Sequence, residues 1–124
     1  MDRMRELIED LVEEHKKILK DLEVIEENLN SNIHELIHLM YKEVEEHARR
    51  EETELKEIVP ESFDFYILEF AHEQVREALE ELKDSPSVER ARRAIAVLKS
   101  HFMEEENIYF PELLGQEPSL GGEG

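Results

Sequence analysis

The chain has 124 residues, no cysteine, 40% apolar and 39% charged residues, and 33 acidic against 15 basic side chains, for a net charge of −18. One core serves a chain of that length, so a single domain is expected. The missing cysteine removes disulfides, thiolate metal sites, cysteine nucleophiles and haem attachment. The charge repels phosphate backbones and anionic lipid and argues against nucleic acid and membranes as partners. No apolar run spans a bilayer, and the charged start MDRMRELIED lacks a signal-peptide core, so a cytoplasmic location is expected.

With 4 Gly and 4 Pro the composition favours helices, and the turn signals fall at 28–32, 59–64 and 84–87. Between them the periodicity predicts four helices. The first runs from about Arg3 to Asn28, with Ile8, Leu11, Val12, Ile18, Leu19, Leu22, Ile25 and Leu29 as its apolar stripe. The second runs from about Asn32 to Glu57, capped by Ser31 and stopped by Pro60. The third runs from near Ser62 to Lys83 on a stripe that includes Phe65, Leu68, Val75 and Leu79. The fourth opens at Ser85–Pro86, a cap with proline in the first turn, and buries Ala91, Ala94, Ile95, Leu98, Phe102, Ile108 and Tyr109. Short loops between amphipathic helices point to an all-α fold, an antiparallel up-down-up-down four-helix bundle over residues 1–114. Residues 115–124, rich in Gly and Pro, read as a flexible C-terminal tail.

Six residues interrupt the stripes. They are His15 on the first helix, His47 and Glu51 on the second, His72 on the third, and His101 and Glu105 on the fourth. A four-residue step keeps His47 with Glu51, and His101 with Glu105, on one face. Buried carboxylates need compensation, because desolvation costs several kcal/mol or more per ion. A metal ion would supply the common charge. In an up-and-down bundle the six can share one layer: His15 and His47 each lie roughly 20 Å from the first turn, and His72 and His101 roughly 20 Å from the third. Four imidazoles and two carboxylates exceed what one tetrahedral zinc uses and are too nitrogen-rich for calcium or magnesium. Two first-row ions bridged by the carboxylates fit better, with iron first, manganese second and zinc admitted by ligand type.

The ordered set His15, His47-Ala-Arg-Arg-Glu51, His72 and His101-Phe-Met-Glu-Glu105, with the run to Pro111, resembles the hemerythrin-like family in its HHE cation-binding branch. The resemblance covers roughly Arg3 to Leu114. It implies a non-haem di-iron centre with an oxo or hydroxo bridge. It also implies Glu51 and Glu105 as bridging carboxylates, His15 and His47 on one iron, and His72 and His101 on the other. The chain departs from the oxygen-carrying members. They have a fifth histidine one turn from the third-helix ligand, where Leu68 or Arg76 stands here. They also have an aspartate five residues after the fourth-helix histidine, whereas Glu105 follows four on. The four-His, two-Glu set is similar to that of di-iron proteins of nitric oxide stress and iron-centre repair.

The leading expectation is therefore a protein that binds O₂ or NO at an open iron position, for sensing, storage or detoxification. Apolar walls including Leu11, Val44, Leu68, Leu98 and Phe102 would exclude water. The alternatives are peroxide or NO reduction with a redox partner, iron handling, and a metal-free acidic interaction module. His34 and His38 read as surface residues, Tyr41, Tyr66 and Tyr109 as boundary residues, and the pairs Glu13–Glu14, Glu45–Glu46 and Glu80–Glu81 as solvated faces. No nucleophile–base pair or phosphate-binding glycine loop is present.

Overall fold

Helix α1 (Arg3–Glu26) starts where the Asp2 side chain accepts from the Arg5 backbone N–H, 3.3 Å away. A computed structural model describes residues 2–115, and these are all-helical apart from turns and short connections. Four long helical stretches, consistent with a four-helix bundle, make up most of the described residues. A single 3₁₀ turn (Leu29–Ser31) links the first two.

Ser31 does not cap the second stretch as expected. Asn32 holds the N-cap position, without a side-chain cap bond, and instead donates from Nδ2 to the Ile25 carbonyl at 3.4 Å. Helix α2 (33–58) is a continuous rod with two π-helical segments, Met40–Val44 and Glu51–Leu55. Val59 is extended ahead of Pro60, as the residue before a proline prefers.

Helix α3 (Tyr66–Asp84) begins later than its periodicity suggests. Phe63 and Phe65 are buried, but from the preceding loop, and Asp64 accepts the Tyr66 N–H at 3.1 Å. Helix α4 (88–113) is capped by Ser87, which accepts the Arg90 N–H at 3.1 Å, rather than by Ser85. Ser87 is extended, the conformation a cap needs, and Pro86 precedes it. A third π segment (Glu105–Tyr109) follows His101. Wider turns there break the 3.6-residue period, so Ile108 faces partly outward at 36% exposure and Phe110 fills the inner position. Of residues 115–124 only Gly115 is described, in a turn with φ +72°; the rest of the expected tail lies outside the described residues.

The buried apolar side chains fall into two clusters. One contains Ile18, Val44, Val75, Leu98 and Phe102, and the other Leu11, Leu55, Phe65, Leu68 and Phe110. Along every helix the change from one cluster to the other occurs at an interrupting histidine or glutamate. The polar residues thus form a layer between two apolar half-cores. No helix among the described residues is long and apolar enough to cross a membrane.

Candidate metal centre

All six residues meet in that layer. His15, Glu51 and Glu105 have no exposed surface, and His47, His72 and His101 are at most 4% exposed. The four Nε2 atoms converge on the two carboxylates. Glu51 presents Oε2 to His47 (3.2 Å) and Oε1 to His72 (2.7 Å). Glu105 presents Oε1 to His15 (2.9 Å) and Oε2 to His101 (3.1 Å). Two sets of four ligand atoms result, His15–His47–Glu51–Glu105 and Glu51–His72–His101–Glu105, each with its atoms within 4.8 Å of one another. The glutamates belong to both.

The geometry suits a metal better than hydrogen bonding. Glu51 Oε2, both oxygens of Glu105 and both ring nitrogens of His101 are buried without a hydrogen-bond partner, although the approaches are short. The groups gather in two clusters of four instead of pairing off one to one. His15 and His47 bring their Nε2 atoms to 3.0 Å, which two neutral acceptors tolerate only if a proton or a cation lies between them. A buried unpaired carboxylate costs several kcal/mol, and a metal ion removes that cost.

The outer nitrogens fix the ring tautomers. His15 donates from Nδ1 to Glu106 (2.7 Å), His47 to Glu14 (2.7 Å) and His72 to Glu52 (2.6 Å). A proton held at Nδ1 leaves the Nε2 lone pair free for a metal. Behind them, Arg50 donates to Glu14, and Arg76 to Glu52 (3.2 Å) and Glu45 (2.7 Å).

Sequence reasoning missed these carboxylates, and took Glu14 and Glu45 for solvated faces. Each of Glu14, Glu52 and Glu106 stands next to a site residue in the chain, the one signal that could have found them. His34 and His38 are exposed, as expected, and no tyrosine reaches the layer. Leu68 lies in a half-core and Arg76 in ion pairs, so neither replaces a fifth histidine.

Without metal, charge is held by protons. Burial opposes a charged His47, but Glu105 and Glu51 outweigh it and raise its pKa to about 10. Burial is likewise overcome at His15 by Glu105 and Glu106, and at His72 by Glu51 and Glu52, so both lie above the usual imidazole value. Burial alone would raise Glu105, yet His101, His15 and His47 hold its carboxyl well below the usual carboxylate range.

A fold of this kind, with paired His/Glu groups buried at its middle, is that of a helical domain with a candidate metal-binding site. Residues 6–113 match the hemerythrin HHE cation binding domain, and the chain belongs to that family. No curated protein and no solved structure matches it.

Proposed function

We propose that the chain is a di-iron protein that binds O₂ or NO at an open position of its metal pair, in an antiparallel bundle. His15 and His47 would hold one ion and His72 and His101 the other, with Glu51 and Glu105 giving one oxygen to each side. Manganese is the second choice of metal, and ligand type admits zinc. Iron, when bound, supplies the open coordination position and the electrons that a diatomic ligand shares.

The observation that carries the reading is a cavity of about 20 Å³ beside His47, His72 and His101. It exceeds the roughly 10–15 Å³ that one water-sized molecule needs. Met40, Val44, Ala48, Val75, Leu79, Leu98 and Phe102 make up most of its wall, with Glu45 and Arg76 as its other charged neighbours. Leu11 and Leu68, expected among the walls, sit in the other half-core and do not line it. An apolar wall excludes water and withholds protons, and so favours holding a ligand over turning it over.

Peroxide or NO reduction is the second reading, because Arg76 borders the same cavity and could stabilise developing negative charge. Its guanidinium is already committed to Glu45, Glu52 and Glu73, which leaves binding the stronger reading. The expected setting is cytoplasmic.

The test is metal content together with ultraviolet–visible spectra recorded without oxygen, in air, and after oxygen removal. Two irons per chain, with bands that appear in air and revert on deoxygenation, are expected. Bands that appear once and do not revert would favour the reductase reading. A colourless chain that stays empty after reconstitution with iron or manganese would leave the acidic interaction module.

A further inference from the structure

The outer carboxylates follow an order around the bundle. Glu106 of α4 serves His15 of α1, Glu14 of α1 serves His47 of α2, and Glu52 of α2 serves His72 of α3. The next step would be a carboxylate of α3 serving His101 of α4, and it is missing. His101 Nδ1 is buried with no hydrogen-bond partner. By analogy with Glu14, which precedes His15, the residue that should provide it is the one before His72. That residue is Ala71.

We propose that the two halves of the centre are unequal: His15 and His47 hold an ion tightly, whereas the His72–His101 half is an exchangeable divalent-cation position that opens to the groove between α3 and α4. This rests on the two-metal reading above.

The asymmetry reduces to one pair. Glu14 and Glu52 each carry an arginine that withdraws charge from them, so His47 and His72 are matched. His15 has Glu106 with no such arginine; His101 has nothing. His15 is also clamped by Phe102, stacked at 4.0 Å and 16°, while His101 meets the edge of His72 at 4.9 Å and 82° and Phe102 at a tilt from 6.2 Å. A carboxylate behind a histidine ligand is worth about 10–100-fold in metal affinity, and that factor belongs to one half alone.

The surroundings agree. The α3–α4 groove, about 370 Å³, is bordered by Ala71, Gln74, Glu77, Ser100, His101 and Glu104. Its one cation, Arg93, pairs with Glu81 at 3.4 Å. The groove on the other side, at His47, mixes Lys17, Arg49 and Arg50 with Glu43, Glu46 and Glu54, and there Glu14 occupies the outer nitrogen of the histidine ring. Acceptors line both grooves, but only the α3–α4 groove meets a histidine whose outer nitrogen has no partner.

The experiment is titration of the metal-free full chain with Mn(II), followed by calorimetry and electron paramagnetic resonance. We expect a first equivalent with an isolated-ion spectrum and a second, at least about 10-fold weaker, that converts it to a spin-coupled pair. Ala71→Glu should raise the second affinity towards the first, and Glu106→Gln should lower the first towards the second. His101→Ala should keep one tight isolated ion, and His15→Ala should keep only the weak one. Coupled spectra from the first addition onward would overturn the inequality while leaving two metals in place. A second affinity unmoved in Ala71→Glu that retains its helical circular dichroism would do the same, as would a tight ion that survives His15→Ala and is lost in His101→Ala. No bound Mn(II) at all would overturn the two-metal reading itself.

Discussion

Glu51 and Glu105 are the residues on which the centre depends most, because each faces histidines from both halves. Removing either carboxylate strips both sides at once. Glu51→Ala or Glu105→Ala should lose both metals, read as metal content after dialysis, whereas His34→Ala on the exposed face should keep full occupancy. The reverse result, with metal lost in His34→Ala and kept in His47→Ala, would overturn the assignment.

The sign of the pH dependence follows from the same groups. His47 has its folded pKa raised from 6.5 to about 10, so it stabilises the metal-free protein fully below 6.5 and loses that contribution as pH rises through about 10. Glu105 is depressed below 4.5, so its contribution is present above 4.5 and is lost as pH falls through its folded value. Metal needs neutral imidazoles and displaces those protons. The gain in Tm on metal loading should therefore grow from about pH 6 to about pH 9. A gain that shrinks with pH would contradict proton displacement.

These six residues were legible in the sequence because each interrupts an apolar stripe, where a polar side chain needs a reason. Glu14, Glu52 and Glu106 were not. They are partly exposed, and in a chain with 33 acidic residues a glutamate at a helix margin carries no signal of its own. The partner each one meets lies on another helix, and only packing reveals it.

At the scale of the element, helix existence and order were readable from periodicity, and the ends were not. Two serines flank Pro86, and the cap falls to Ser87 because the residue after the proline is free to extend while its side chain reaches the Arg90 N–H. Ser87→Ala should cost roughly 0.5–2 kcal/mol in denaturant unfolding, and Ser85→Ala should leave stability near wild type. Equal costs would place the cap where the sequence suggested.

The π segments were also invisible to a 3.6-residue template. Two of the three begin at the site glutamates, Glu51 and Glu105. Single π turns are uncommon and gather at functional sites. Beyond Glu105 the π turn rotates the helix, so that Phe110, five residues on, returns to the half-core of Leu11 and Leu68.

For the whole molecule, the acidic balance and the buried charge pull the same way. A chain of net charge −18 repels itself, and divalent cations bound at its middle would relieve that repulsion. Two bound ions should raise Tm strongly: at free metal about 1,000 times its Kd, each site adds about 4 kcal/mol. Differential scanning calorimetry with and without chelator reads it, and an unchanged Tm would mean that the native state holds no metal.

The polar layer also divides the interior, with one apolar cluster on either side and few apolar contacts across it. Packed carbon ordinarily makes a small helical domain open as a single cooperative unit. Here that continuity is broken at mid-height, and a metal pair held there would be the rivet between two foldons. With the ions removed, amides flanking Leu22 and Leu79 and those flanking Leu11 and Phe65 should exchange with deuterium at separate rates. With the ions in place the two groups should slow to a common rate, and the protein would register loss of its metal as the independent breathing of its two ends.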